Sequence, residues 1–400
     1  MTELTELQNK FIEAIKKNPS LKNKEYAELL STTPGGICSM IIKLRKKGVL
    51  AQASGNIRDG LHLSEGQQEA TKEINPDTFL KDKIRLSLKK KDVFTIEEFS
   101  DLFNVGVSKV RAAVSELITE GVTLKLEDDF VLFSKIIPKA EPTIINVKKL
   151  STGTYRFGAV GDNHMCSKYA RMDVLNALYD HFESEGISVV YNTGNWIDGE
   201  ARFNKHDLSI HGLGNQVNHF VDKYPRRKGI ETFYISGDDH EGWYSQREGI
   251  DVGKFAMSVA QSSGRDDLIY LGHMEADVII NAPNGKTKIR LLHPGGGSSY
   301  AISYTSQKIV ESYTGGEKPD ILLVGHYHKA EYCYVRGVHV VQTGTTQDQS
   351  PFMRKKRLAA HLGGWIIEFS VDDCGAITRF KQEWIPFYDN DYYKKWQYEW

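Results

Sequence analysis

The chain has 400 residues, 51 Lys+Arg against 52 Asp+Glu, and 40% hydrophobic residues, which is room for two or three domains. Its formal net charge of −1 excludes a global electrostatic footprint for nucleic acid and leaves only a local basic face open. Four scattered cysteines without a CxxC pair exclude a disulfide framework or zinc ribbon, and no apolar run approaches the roughly 18 residues of a membrane span; a soluble, cytoplasmic protein with no membrane association is expected.

From the N-terminus, Leu4, Leu7, Phe11 and Ile15 recur at helical spacing, and Tyr26, Leu29 and Leu30 mark a second short helix. The run Thr32-Thr33-Pro34-Gly35-Gly36 breaks it before Ile37, Met40, Ile41 and Leu44 line a third. The pattern then recurs. Leu80, Ile84 and Leu88 mark one helix, and Thr95-Ile96-Glu97-Glu98 resembles a capping box opening a second that buries Phe99, Leu102 and Phe103. Asn104-Val105-Gly106 makes the turn, and Val110, Val114, Leu117 and Ile118 line the next helix. Both copies close on Gly-Val, at Gly48-Val49 and Gly121-Val122, 73 residues apart. After the second copy, residues 122–126 and 130–133 flank the acidic turn Glu127-Asp128-Asp129 as a hairpin.

Three short helices with a tight turn before the third follow the helix-turn-helix plan. With the hairpin they resemble a winged-helix domain, here a tandem pair over residues 1–70 and 79–135. In a DNA-binding unit the third helix enters the major groove and basic side chains meet phosphates. The first copy offers Lys43, Arg45, Lys46 and Lys47 beside Ser39, whereas Lys109 and Arg111 of the second are offset by Glu116 and Glu120. The alternative for either copy is a module that docks a protein partner, or a spacer. Residues 136–154, with Pro138 and Pro142 and no helical periodicity, read as an extended linker.

Beyond the linker, five apolar strand-like runs each end in polar residues able to hold metals. Residues 155–160 run into Gly161-Asp162-Asn163-His164, and 187–191 into Thr193-Gly194-Asn195-Trp196-Ile197-Asp198-Gly199. Residues 231–235 run into Gly237-Asp238-Asp239-His240-Glu241, 288–292 into His293-Pro294, and 321–324 into Gly325-His326-Tyr327-His328. Residues 175–185 have helical spacing between the first two. Each motif alone is weak, since Asp-x-His is commonly a turn and a lone His commonly a core residue. Five in this order, each after a strand, are another matter, because strand ends are where α/β folds place their sites.

The series resembles the calcineurin-like metallophosphoesterase family, whose pattern is D-x-H, G-D-x-x-D, G-N-H-D/E, a lone His and G-H-x-H. The resemblance covers residues 155 to about 345 and more loosely the rest of a domain spanning 155–400. It implies an α/β fold, a four-layer α/β/β/α sandwich holding two divalent metal ions, with Mn²⁺ the first choice and Fe or Zn²⁺ as alternatives. Asp162, His164 and His328 would hold the first metal, and His293, His326 and Asp239 the second, with position 195 as the bridge. The ions would polarise the phosphoryl oxygens and generate a hydroxide for in-line attack. His240 would protonate the leaving oxygen or stabilise the transition state.

Two positions depart from the family. Its bridging aspartate is Asn195 here, and the asparagine of its G-N-H is Asp239. One carboxylate is lost and one gained, so the ligand charge is expected to persist with the carboxylate moved to Asp239. The function expected is metal-dependent phosphodiester hydrolysis, a nuclease acting on DNA delivered by the helical units. The alternatives are a phosphoprotein or small-molecule phosphatase with protein-docking helical units, and a DNA-binding regulator with a degenerate phosphoesterase domain. Arg202 and His211 could touch phosphate or sit on an ordinary surface, and residues 353–357 (Met-Arg-Lys-Lys-Arg) could cradle a polynucleotide backbone or form a solvated loop.

Overall fold

The computed structural model describes residues 6–17, 23–33, 36–37, 39–41, 44, 76–134 and 136–395. Lys43, Arg45, Lys46 and Lys47, the candidate DNA contacts, lie outside the described residues. The chain divides into two compact units, Met1–Phe79 and Leu80–Trp400.

In the first unit, α1 (Glu6–Lys17) and α2 (Asn23–Leu29) pack through Phe11, Ala14 and Ile15 against Tyr26 and Ala27, with Ile37, Met40, Ile41 and Leu44 completing the cluster. The Phe11 and Tyr26 rings meet edge to face at 5.2 Å, the arrangement ring quadrupoles favour. Leu7 and Leu29, expected inside, are exposed; each sits within a residue of a helix end, where the apolar stripe runs past the cluster.

The second unit opens within α3 (Pro76–Leu88) and continues through β1 (Val93–Thr95), α4 (Ile96–Phe103), α5 (Val107–Thr119), β2 (Leu124–Glu127) and β3 (Phe130–Phe133). The capping box at α4 is complete: Glu98 N donates to Thr95 Oγ1 at 3.0 Å and Thr95 N to the Glu98 carboxylate at 2.8 Å. The three strands form an antiparallel sheet in the order β1-β3-β2, and Ile84, Phe99, Val110, Val114 and Val131 fill the core beneath it. Leu102, also expected inside, is exposed.

This small module is built onto the rest of its unit. Asp251 N donates to Gly121 O at 2.7 Å, Thr123 N donates to Gly249 O at 3.3 Å, and Val122 bridges Ile250. The Phe133 ring lies so close over Gly249 that a Cβ there would strike it. The expected linker is also more than a connector. Its β4 (Thr143–Ile144) pairs in parallel with residues 278–279, and Ile145 and Val147 enter the core. Alternate residues of an extended segment point to one face, so two apolar side chains at spacing two suffice to anchor it.

The remaining strands are β5 (Thr154–Val160), β6 (Val189–Asn192), β7 (Glu231–Ser236), β8 (Leu268–His273), β9 (Glu275–Ala282), β10 (Gly285–Leu292), β11 (Ile321–Val324), β12 (Ala330–Val335), β13 (Val338–Thr343), β14 (Gly363–Val371) and β15 (Ile377–Pro386). They form two six-stranded mixed sheets, β15-β14-β5-β6-β7-β8 and β12-β13-β11-β10-β9-β4. Phe157, Tyr191, Ile235 and Ile367 of one sheet pack on Val278, Leu291, Leu323 and Val341 of the other. The outer face of the first sheet buries α6 (Met172–Ser184), α7 (Leu213–Lys223) and α9 (Val252–Ser262) through Leu178, Phe220 and Ala256. The outer face of the second takes Val310 of α10 (Tyr304–Ser312). Helices, sheet, sheet and helix make four layers. Within the first sheet β5, β6 and β7 run parallel in adjacent positions, and in the second β10 and β11 do the same. All five strands that precede the polar motifs therefore end side by side within their sheets.

Candidate metal centre

Parallel register sets the motifs level: Val160 pairs with Asn192 and Asn192 with Tyr234, while Leu292 pairs with Val324. The two sheet edges are joined directly. His326 N donates to Asp162 Oδ2 at 2.8 Å, and His293 Nδ1 lies 2.7 Å from Thr193 O. Immediately after each strand the chain turns sharply. Asp162, His164, Asn195, His240, His326 and His328 all have φ between 46° and 77°, a region costly for residues with a side chain. Six such residues in one place mark a site whose side-chain directions outweigh backbone comfort. Glycine clears the remaining space: a Cβ on Gly194, at φ 99°, would lie 2.7 Å from the His293 ring, and one on Gly237 would lie 2.8 Å from the same ring.

Two clusters result. In the first, Asp162, His164 and His328 converge, with His164 Nε2 3.1 Å from His328 Nε2 and His328 Nε2 3.4 Å from Asp162 Oδ1. In the second, Asp239 Oδ1 lies 3.3 Å from His293 Nε2 and Asp239 Oδ2 lies 3.2 Å from His326 Nδ1. Asn195 sits between them. With its amide turned to satisfy both ends, its oxygen lies 3.1 Å from His293 Nε2 and its nitrogen donates to Asp239 Oδ1 and Glu241 Oε2, each at 3.2 Å. One terminal atom of the same amide is 3.5 Å from Asp162 Oδ1, so position 195 touches both clusters.

The donor chemistry fits divalent cations. His293 directs one ring nitrogen at the Thr193 carbonyl and the other at Asn195 and Asp239. His326 directs Nε2 at Gly296 O, 2.7 Å away, and Nδ1 at Asp239. Every one of these neighbours is an acceptor, so the inward nitrogens need a cation opposite them, a proton or a metal. In the first cluster, His164 Nδ1 is 2.9 Å from Asp198 Oδ1, which fixes the ring and leaves Nε2 for a ligand bond. His328 Nδ1 is buried without a hydrogen-bond partner among the described residues. Burial lowers the pKa of His328, favouring the neutral ring a metal requires. Burial pushes the Asp162 carboxyl up, but His328 and His164 outweigh it and hold it well below the usual range. Asp239, likewise opposed by burial, is held down by His293 and His326. Both carboxylates are thus charged and available.

His240 stands beside the first cluster. It begins α8 (Glu241–Glu248) with φ 50° and ψ −102°, and its ring meets His164 edge to face at 4.2 Å. Its Nδ1 lies 2.9 Å from Asp198 O and 3.3 Å from Asp198 Oδ1. Burial opposes its charge, but Asp198 prevails and raises its pKa to about 9. The same interactions outweigh the burial of Asp198 and bring its own pKa down to about 2. The His240 side chain is 24% exposed, against 1% for His164, so it is the ring that meets solvent.

A cleft of about 430 Å³ opens over this centre, bordered by His164, Asn195, Asp239, His240, His326 and His328, within the size range of small-ligand sites. Gly296 and Gly297 border it as well. Arg202 and His211 do not border it, and His211 lies instead 3.6 Å from the Glu200 carboxylate. Sequence reasoning assigned no role to Asp198 or Glu241, although both stand within the quoted motifs. Asp198 joins His164 to His240. Buried Glu241 accepts from Asn195 N at 2.8 Å and Gly237 N at 2.9 Å, tying two ligand loops together. A carboxylate three residues beyond Asn195, and one directly after His240, were the available signals.

No family model matches the chain, and no curated protein matches it. Among solved structures, an archaeal phosphodiesterase is 12% identical over 57% of this chain and 99% of its own, with a TM-score of 0.30. Vacuolar protein sorting 29 from Cryptosporidium parvum is 14% identical over 58% of this chain and 98% of its own, with a TM-score of 0.30. A 5'-nucleotidase precursor from Thermus thermophilus is 11% identical over 60% of this chain and 57% of its own, with a TM-score of 0.31. At these values the likenesses carry no functional weight, which rests on the geometry of the centre.

Proposed function

We propose that the chain is a divalent-metal-dependent phosphoesterase that hydrolyses phosphodiesters in DNA. The observation that carries this reading is the pair of Asp–His clusters, Asp162/His164/His328 and Asp239/His293/His326, joined through Asn195 at the mouth of one cleft. Bound there, divalent ions supply Lewis acidity toward the phosphoryl oxygens and make a hydroxide nucleophile accessible near neutral pH; manganese is the first ion to try, with iron or zinc next.

The chain's own residues supply the rest. Asp198 holds the His240 proton in place below about pH 9 and keeps the ring turned to the cleft. A protonated imidazole at the solvent edge can deliver that proton to the departing oxygen. Glu241 fixes the loops carrying Asn195 and Gly237, so the ligand spacing does not depend on the ligands alone.

The preference for DNA rests on the helical units. Helices and a three-stranded sheet in residues 80–133 support a winged-helix reading of that module. Its α5 is a poor groove reader, because Arg111 pairs with Asp129 while Glu116 and Glu120 hold Lys81. The basic run at residues 43–47 of the first unit is the better candidate for phosphate contacts. A second reading, a phosphatase with protein-docking units, draws on the second module, whose hairpin is packed on its own unit at Gly249. The deciding experiment is cleavage of labelled single- and double-stranded DNA with Mn²⁺, compared with Mg²⁺, chelator and His240→Ala. Metal-dependent cutting lost in His240→Ala supports the nuclease; hydrolysis of a simple phosphomonoester without cutting moves the assignment to the phosphatase. Silence on both leaves the DNA-binding regulator.

A further inference from the structure

The rings around the metal centre continue outward from it. His164 meets His240 at 4.2 Å, His240 meets Trp243 at 4.6 Å with the planes 31° apart, and Trp243 meets Phe203 edge to face at 5.0 Å. All four border the same cleft, as does Phe352. Phe203 is 71% exposed and Phe352 57% exposed. Large apolar rings left in water at the mouth of a polar centre gain nothing from the fold, yet here they lead directly away from the candidate acid. Phe352 also lies on α11 (Pro351–Lys356), whose last three residues, Arg354, Lys355 and Lys356, are all exposed and are followed by Arg357. Buried Met353 anchors that short helix from within the cleft wall.

We propose that Phe203, Trp243 and Phe352 form a stacking subsite for an unpaired nucleobase adjoining the scissile phosphate, with residues 354–357 contacting flanking phosphates. This rests on the phosphodiesterase reading and narrows it to single-stranded or frayed DNA. A planar π surface takes any base, because every base has a π face, and a base can reach such a surface only when it is out of its duplex stack. Cationic side chains on the same element supply the sequence-independent contacts that a strand running past the centre requires. A phosphoserine or phosphothreonine side chain, in contrast, would bring no flat ring to use Phe203 or Phe352.

The test uses the full chain, stripped with chelator so that nothing is cut, and fluorescence anisotropy of two labelled single strands. One is a short oligothymidylate; the other is an abasic oligomer with the same number of phosphates. Stacking is worth about 1–3 kcal/mol per base, so the base-bearing strand is expected to bind about 5- to 150-fold more tightly. Phe203→Ala and Phe352→Ala, at exposed positions where folding is not at stake, should each drive that ratio toward one. Arg354→Ala and Lys355→Ala should weaken both strands alike and reduce the salt slope by about 0.7 per lost contact. Equal binding of the two strands overturns the proposal, and so does a ratio that survives both phenylalanine changes. Cleavage of the oligothymidylate with Mn²⁺ is scored separately. Discrimination without cleavage would leave the base subsite standing and count against the phosphodiesterase reading.

Discussion

Asn195 places a neutral amide between the two clusters, while Asp239 engages both His293 and His326. On the phosphoesterase reading proposed above, the Asp239 carboxylate beside that amide would keep the negative charge that two cations require. Asp239→Asn should therefore cost about 100-fold or more in metal affinity, read by isothermal titration of the stripped protein. Asn195→Asp alone should leave kcat/KM unchanged or alter only metal preference, and combined with Asp239→Asn it should restore binding. A rise of several orders of magnitude in Asn195→Asp would sink the exchange and point to a degenerate site. The Asp198–His240 pair makes a second prediction at this scale. His240 is raised from 6.5 to about 9, so its proton-donating form is lost as pH climbs through that value. Asp198→Asn should move the alkaline limb of the kcat/KM profile to lower pH. Because the folded pKa of His240 exceeds the unfolded one, its share of the stabilisation is complete below about 6.5 and disappears as pH rises through about 9. Chemical denaturation of the stripped protein at pH 6 and pH 10 would register the difference, and no loss at pH 10 would contradict it.

Elements enter through how strands and turns hold these side chains. Gly237 follows β7 and lies against Asn195, Asp239 and His293. A methyl group there meets two ligand side chains and a ring fixed to Thr193, so little can yield. Gly237→Ala should bind one metal equivalent instead of two, measured by metal analysis after gel filtration; two equivalents would show that the ring can move. Phe133 of β3 covers Gly249 at the end of the helix that His240 begins. Phe133 is half-buried, so Phe133→Ala should lose less than the roughly 1.5–3 kcal/mol of a fully buried side chain. It should also speed amide exchange in residues 121–134 and 249–251, and unaltered exchange would mean the module is held elsewhere.

For the whole molecule, near-neutral net charge means that the proposed DNA affinity cannot come from a diffuse field and would reside in local basic groups. Replacing Lys43, Arg45, Lys46 and Lys47 together by alanine should weaken duplex binding and reduce the salt slope by up to about 3.6, at about 0.9 per phosphate contact. Hydrolysis of a small phosphodiester should not change, because those residues belong to the first unit and the metal centre to the second. An unaltered salt slope would remove the first unit from DNA binding.

The sequence alone determined the strands that carry the centre and singled out the side chains of its two candidate metal clusters. Apolar runs that stop at polar residues are a local property, and the observed strands end within a residue of where those runs stop. The capping box of α4 was likewise local, a Thr and a Glu three residues apart. What only the tertiary structure decided was which side chains meet. Asp198 acquires its role because β5 and β7 flank β6 in parallel, bringing His164 and His240 to the same carboxylate. The connector became an edge strand because β9, paired with β10 on one side, left its other edge open at Val278 and Ile279, a fact of sheet order invisible in residues 136–154. Phe203, Trp243 and Phe352 lie up to 149 residues apart in the chain and have no shared spacing to read. They come to one cleft through the packing of loops and short helices around two sheets, and spacing along a chain records only neighbours within one element.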